Sequence, residues 1–368
     1  MTAEEAAGDP GTMVAHLGSL VRSESPSNDP ALLHRCADVV EGIARSLGVA
    51  RVREEVDGVP MLRLGDSEAP VLLLGHLDTV HAAGSLEQNP WRTEGDRLYG
   101  PGTLDMKAGL VIGMHAMAAT GGASFLITAD EELGSTRSQR AVERAASARR
   151  SVLVLEPAAG GALKVARKGV ARFTASLRGT ASHAGLDPQR GANALVGMAA
   201  ITLTGAGLAD PTTETTVTPT MASAGSTVNT VPEAASVTFD VRMWTDAEFL
   251  RVRLGLESAD PRVAGVHSSL ALDSYRPPFE PSASAGLYER ARLLAFRLGQ
   301  GRLEGRAVGG GSDGNFTAAM GIPTLDGLGG IGGGPHTANE WVAAGSLSSR
   351  TQLLSALVAD VVASVLRK

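Results

Sequence analysis

A single cysteine, Cys36, stands in the 368-residue chain, so no internal disulfide can form. Long apolar runs are also missing, and no stretch is long and apolar enough to span a bilayer. There is no basic run, and the net charge of −6 argues against nucleic acid or an anionic membrane as a partner. The opening Met-Thr-Ala-Glu-Glu-Ala-Ala-Gly-Asp-Pro is acidic and lacks the apolar core of a secretory leader, and its first residues read as frayed. No internal repeat of solenoid period is present. Together these absences favour a cytoplasmic protein. What is present is ordinary for a globular chain, 43% hydrophobic and 20% charged. The length exceeds that at which one core stops growing, so two domains are expected.

The chain is organised around Val71-Leu-Leu-Leu-Gly-His76-Leu-Asp78-Thr-Val80. An uninterrupted apolar run of this kind reads as a strand buried on both faces of a parallel sheet. Ligands of open α/β sheets bind beyond the carboxyl ends of the strands, where His76 and Asp78 stand on one face, two residues apart. Before it come helices from Thr12 to Arg22 and from Pro30, capped by Asp29, to Gly48, then strands near Ala50–Val56 and Val59–Leu64. After it, Tyr99-Gly-Pro-Gly-Thr-Leu-Asp105 forces a tight loop into an apolar helix, Ala108–Ala119. Ala123–Ala129 is a second buried strand, ending in Asp130-Glu131-Glu132. Ser151–Leu155 is a third, ending in Glu156.

From about Ala166 to Pro278 the pattern changes to strand Gly169–Gly179, helix Gly191–Ala209, strands Thr215–Ala224 and Ala234–Trp244, helix Asp246–Glu257 and strand Val266–Tyr275. This is the split βαβ pattern of a ferredoxin-like domain. It reads as an insertion, because the α/β pattern then resumes with helix Ala283–Leu298, strand Glu304–Val308, a helix after Gly314, strand Ile322–Leu325 and a long C-terminal helix. The expected fold is therefore α/β, a mixed and mostly parallel sheet flanked by helices, with an inserted α+β domain. Residues 1–165 and 279–368 form the first domain, and 166–278 the second.

His76, Asp78, Asp105, Glu131, Glu132 and Glu156, with His336 from the glycine-rich Gly329–His336 loop, gather polar groups at the strand ends. So many carboxylates in one pocket repel one another and raise one another's pKa, and a cation relieves this. Histidine and carboxylate donors without thiolates suit zinc, or cobalt and manganese less specifically. The count fits two ions, held by two histidines and three carboxylates, one of which can bridge ions roughly 3.5–4 Å apart. Asp78 and Glu131 are left over. Asp78 can take the free ring N–H of His76, and Glu131, beside a ligand, can act as general base.

Gly75-His76-Leu-Asp78-Thr-Val, Gly-Pro-Gly-Thr-Leu-Asp105-Met-Lys, Ala-Asp-Glu131-Glu132-Leu-Gly-Ser, Leu-Glu156-Pro, Gly-Thr-Ala-Ser-His183-Ala-Gly and Pro335-His336 occur in this order. In these motifs the chain resembles the dizinc metallopeptidases that include glutamate carboxypeptidase, aminoacylase, and acetylornithine and succinyl-diaminopimelate deacylases. The resemblance implies a dizinc exopeptidase-like fold in which Asp105 bridges two zinc ions. His76 and Glu156 complete one site, Glu132 and His336 the other. Glu131 takes a proton from the bridging water and passes it to the leaving amine. It also implies a cis peptide after Asp105, and a homodimer through the inserted dimerisation or lid domain, whose His183 reaches the partner's site. Within the family the chain looks most like bacterial glutamate carboxypeptidase. That likeness makes Asn229, Arg242, Arg276 and Lys164 substrate contacts; an Arg fork suits a carboxylate. Ala-Arg-Lys-Gly replaces small polar residues of that relative, so the leaving acid is open. Peptidase, N-acyl amino acid deacylase and specialised biosynthetic amidohydrolase share every motif.

Three rival readings exist. Gly310-Gly-Ser312-Asp-Gly314, followed by Asp326 and His336, fits a serine hydrolase elbow, but leaves the earlier carboxylates unexplained. Gly327–Gly334 lacks the strand and helix context of a dinucleotide loop. A catalytically silent binding protein has no need of Glu131.

Overall fold

Each run of buried apolar residues becomes a strand covered on both faces. In the computed structural model, which describes residues 8–366, every residue of Val71–His76, Ala123–Thr128 and Ser151–Val154 is buried. Residues 1–7, read above as a frayed, leaderless N-terminus, lie outside the described residues. The chain divides into two compact units. One is built from the described residues up to Ala166 with Glu280–Val308 and Ser312 onward, the other from Arg167–Phe279 with Gly309–Gly311.

The first unit holds a six-stranded sheet in the order Arg51–Val56, Val59–Gly65, Ala123–Thr128, Val71–His76, Ser151–Val154, Thr324–Leu325. The last four run parallel and the first two antiparallel, so the sheet is mixed and mostly parallel. The first two are joined by Asp57-Gly58, both with positive φ, as a tight hairpin requires. Asp29 caps the helix Pro30–Ser46 by accepting the Leu32 N–H at 3.0 Å. In helix Ala108–Thr120 every residue from Ala108 to Met117 is buried, so it is apolar all round and lies inside the core against Ala344–Leu366. Gly109 permits its approach to the sheet, because a Cβ there would stand 2.1 Å from the Leu155 carbonyl oxygen. No helix among the described residues is long and apolar enough to cross a membrane.

Several elements differ from the sequence reading. Helix Gln139–Ala146 is short and strongly polar on one side, and strand Leu163–Arg167 pairs with Gly305–Val308. A small sheet of Gly332–Gly333, Trp341–Ala343, Arg97–Tyr99 and Arg92–Glu94 is built from strands of two and three residues, too short to show a period.

The second unit has strand Gly169–Arg178, helix Ala194–Ala206, strands Thr216–Ala224 and Ala234–Met243, helix Asp246–Glu257 and strand His267–Arg276. The sheet order, Thr216–Ala224, Ala234–Met243, Gly169–Arg178, His267–Arg276, is antiparallel throughout, the ferredoxin-like arrangement. The first helix begins later than its apolar pattern suggests because Asn193 caps it, accepting the N–H groups of Leu195 and Val196.

Candidate metal centre

Three parallel strands end side by side and deliver the polar residues. His76 is the last residue of its strand and pairs with Thr128, and Leu74 pairs with Val154, so Asp78, Glu131, Glu132 and Glu156 follow from neighbouring strand ends. Asp105 comes from the turn Thr103–Lys107. Its approach needs a left-handed Gly102, φ +68°, and the Asp105–Met106 peptide is cis.

His76 Nε2 stands 3.3 Å from Glu156 Oε1 and 3.6 Å from Asp105 Oδ1. His336 Nε2 stands 3.3 Å from both Asp105 Oδ2 and Glu132 Oε1. Two triads, His76–Asp105–Glu156 and Asp105–Glu132–His336, therefore share Asp105, each using one of its oxygens. His76 Nε2 and Glu132 Oε1 are buried and have no hydrogen-bond partner among the described residues. Leaving such atoms unmet costs free energy. Donors bonded tetrahedrally at zinc distances of about 2.0–2.1 Å lie roughly 3.3 Å from one another, which is the spacing of these groups. The donor set and its orphaned atoms thus fit divalent ions.

The protons answer to the same crowding. The Asp105 and Glu132 carboxylates beside it raise His336 to about 10, against a smaller opposing effect of burial. Burial disfavours charge on His76, but Asp105, Asp78 and Glu156 together raise its pKa well above the usual range. Burial raises Asp105, and the neighbouring imidazoles of His336 and His76 outweigh it, holding the carboxyl far below the ordinary value.

The structure corrects the expected partner of the His76 ring. Nδ1 bonds the backbone carbonyl of Asp78 at 3.0 Å, with the nearest carboxylate oxygen at 3.4 Å. The Asp78 carboxylate is fully buried and instead accepts the N–H groups of Glu131 at 3.2 Å and Glu132 at 3.1 Å, and the Ser27 hydroxyl at 2.8 Å. It grips the loop that carries both glutamates. Lys164 lies in the same unit, with Nζ 3.5 Å from Glu156 Oε2.

The remaining predicted residues belong to the second unit. His183 and Asn229 are neighbours there, since Ser182–His183 pairs with Thr230–Val231 and Ala184 N–H donates to the Asn229 carbonyl at 2.9 Å. His183 is exposed, and its Nδ1 accepts the N–H groups of Gly185 and Leu186, both at 3.1 Å. A neutral ring then carries its proton on Nε2. Arg242 is held by Asp240 through two bonds of 2.7 and 3.0 Å. Arg276 is buried, its stem packed against Gly311. In Ala-Arg-Lys-Gly, Arg167 donates to the carbonyls of Gly310 and Gly311, and Lys168 to that of Glu214.

Ser312 is fully buried and donates to Asp326 at 2.7 Å, while His336 faces Asp105 and Glu132. A serine nucleophile needs an imidazole at its hydroxyl, so the elbow reading fails. Other contributors were missed from the sequence. Ser27 bonds Asp78. Asp313 accepts from Ser135 and Thr128, at the two ends of the segment that carries Glu131 and Glu132. Glu340 accepts backbone N–H groups around Asp105. Their partners are distant in sequence, and only the run of serine and aspartate around Gly310–Gly314 gave any sign.

Comparison with known proteins agrees with this geometry. The profile of peptidase family M20/M25/M40 matches residues 72–360. Carboxypeptidase G2 of Pseudomonas sp. strain RS-16 is 27% identical over 373 residues, covering 95% of this chain and 89% of that protein. Succinyl-diaminopimelate desuccinylase of Sulfurimonas denitrificans is 26% identical over 316 residues, covering 78% and 84%. The crystal structure of aminopeptidase PepT from Bacillus cereus superposes with a TM-score of 0.77 at 23% identity, over 96% of this chain and 99% of that one, a likeness of fold. The strand-end carboxylates and histidines thus stand in a hydrolase of the peptidase and amidohydrolase type, and the chain belongs to peptidase family M20/M25/M40.

Proposed function

We propose that the chain holds two zinc ions and cleaves an amide bond next to a free carboxylate, as a carboxypeptidase. The observation that carries this reading is the pair of triads joined through Asp105, with His76 Nε2 and Glu132 Oε1 buried and without a hydrogen bond among the described residues. His76, Asp105 and Glu156 would hold one ion, and Asp105, Glu132 and His336 the other; cobalt or manganese suits the same donors. When bound, such ions supply Lewis acidity, lowering the pKa of water and offsetting negative charge.

The chain's own groups supply the rest. Glu131 takes the proton of the attacking water on a carboxylate oxygen and returns it to the leaving nitrogen. Asp78 fixes the backbone of Glu131 and Glu132 and orients His76 through its carbonyl. His183, with its proton on Nε2, offers a donor to the substrate carbonyl. Asn229, Arg242, Arg276 and Lys164 are the proposed contacts to the substrate's carboxylate end. For Arg242 this means exchanging Asp240 for substrate. Residues 166–278 are proposed to mediate a homodimer, checked by light scattering in solution, and the protein is proposed to be cytoplasmic.

A cavity of about 570 Å³ adjoins Glu132 and is walled by Pro26, Val80, Ala82, Ala83 and Leu133 together with Ser27, Asn28, Thr79 and His81, with no Lys or Arg among its lining residues. Val80 and Leu133 are 46% and 50% exposed. The apolar side of this wall suits an apolar or aromatic acyl half, and its one basic side chain, His81, is already engaged by Glu340 at 2.7 Å and so is not offered to a succinyl carboxylate. This favours the carboxypeptidase or N-acyl amino acid deacylase reading over desuccinylase chemistry.

The test is a screen of dipeptides, N-acyl glutamates and other N-acyl amino acids, and succinyl-diaminopimelate, with zinc, cobalt or manganese added. Apolar acyl donors are expected to be turned over at least tenfold faster than the succinyl compound. Glu131→Gln is expected to lose about 10²–10⁴-fold in kcat while binding the same amount of metal. Unchanged turnover in that variant would remove Glu131 as the base.

A further inference from the structure

We infer that Glu340 is a positioning residue that fixes the backbone of Asp105 and links it to the segment bearing His336. The inference rests on the metal-centre reading above.

Glu340 has no solvent exposure, yet its carboxylate meets four donors. Oε1 accepts the N–H groups of Leu104 at 2.7 Å and Asp105 at 2.9 Å. Oε2 accepts the Gly102 N–H at 3.0 Å and His81 Nε2 at 2.7 Å. Facing a carboxylate at that distance, His81 carries its proton on Nε2. A carboxylate has about four acceptor sites, so all are filled, and bonds to an ionised acceptor are roughly twice as strong as neutral ones. Three of the four donors belong to the one turn that presents the shared carboxylate.

The other end of the clamp is as short. Glu340 lies four residues after His336, its own N–H donates to Thr337 O at 3.3 Å, and Trp341 pairs with Tyr99 in the small sheet. His336 and Asp105 must stand 3.3 Å apart to share an ion, although they come from segments far apart in sequence. Glu340 is the side chain that ties those segments together. A burial role alone does not require its acceptors to converge on the backbone N–H of Asp105 itself.

Glu340→Gln keeps the shape but replaces one acceptor by an NH2 donor, which then faces either the Leu104 and Asp105 donors or those of Gly102 and His81. Zinc titration of the metal-stripped full-length chain against a chromophoric competitor is expected to show affinity about 10–100-fold weaker than wild type. At saturating zinc, kcat is expected to fall with KM within twofold. His81→Ala, which alters one donor on a partly accessible side chain, is expected to weaken zinc about three- to tenfold, with His81→Gln restoring part of the loss. A merely structural Glu340 would lower the melting temperature and leave the zinc affinity of the folded variant untouched. Affinity within twofold of wild type in folded Glu340→Gln, or in His81→Ala should the first variant not fold, overturns the inference and leaves the metal centre standing. Failure of the wild-type chain to take up zinc overturns both.

Discussion

The two units use strands in opposite ways. In Val71–His76 every residue is buried, whereas Gly169–Arg178 and Ala234–Met243 alternate between buried and accessible positions. Parallel strands covered on both faces can place polar groups only at their ends, so the first unit concentrates charge at one edge of its sheet. The antiparallel sheet of the second unit has an accessible face along its whole length, and its polar residues, Thr174, Asp240 and Arg242 among them, are spread over it and pair locally. Concentrated charge calls for an ion, and dispersed charge pairs with itself. The same residue types therefore suit metal chemistry in one unit and surface contacts in the other.

That contrast can be broken most severely at Asp105. Asp105→Ala removes an oxygen from both triads at once, and zinc stoichiometry is expected to drop below two with turnover at background, as read by metal analysis and assay. Retention of two ions would show that the donors are not shared. A lesion in the second unit should behave otherwise. Phe239 is fully buried there, and Phe239→Ala is expected to cost about 3–5 kcal/mol in urea unfolding while zinc uptake stays as in wild type.

Acid should separate the units as well. His115 is 5% exposed in the first unit, and burial, aided by His16 whose ring nitrogen lies 3.0 Å away, lowers it to about 4. Its unfolded value is about 6.5, so the unfolded chain binds the proton first, and stability present above pH 6.5 is lost as the pH falls toward 4. Between pH 6.5 and 5 the wild type is expected to lose about 2 kcal/mol more than His115→Asn, measured by urea melts at each pH. In the second unit Glu248 is held down to about 2 by Arg251, then Thr215 and Thr213, against the opposing effect of burial. Its contribution is complete above about pH 4.5 and is lost only as the pH falls toward 2. Glu248→Gln should therefore differ from wild type at pH 7 and converge with it near pH 2. Identical pH profiles for the two variants would remove the distinction.

The smallest effects are local. Asp29→Ala removes the cap of Pro30–Ser46 and is expected to cost about 1 kcal/mol. Thr245→Ala should cost less at Asp246–Glu257, where the cap bond is 3.3 Å rather than 3.0 Å.

The sequence by itself determined the fold class and which residues gather at the strand ends. Burial on both faces leaves an apolar run whatever the sequence around it, and carboxylates immediately after such runs have one edge of the sheet to occupy. A local signal sufficed for Asp29, because the N–H it caps is three residues away. Tertiary structure alone decided which acceptor meets which donor. The Asp78 carboxylate meets the N–H groups of Glu131 and Glu132, Arg167 meets glycine carbonyls, and Glu340 meets a turn more than two hundred residues earlier. A backbone N–H is the same group at every residue, so no side-chain pattern marks it, and only the folded chain shows which ones lie within reach.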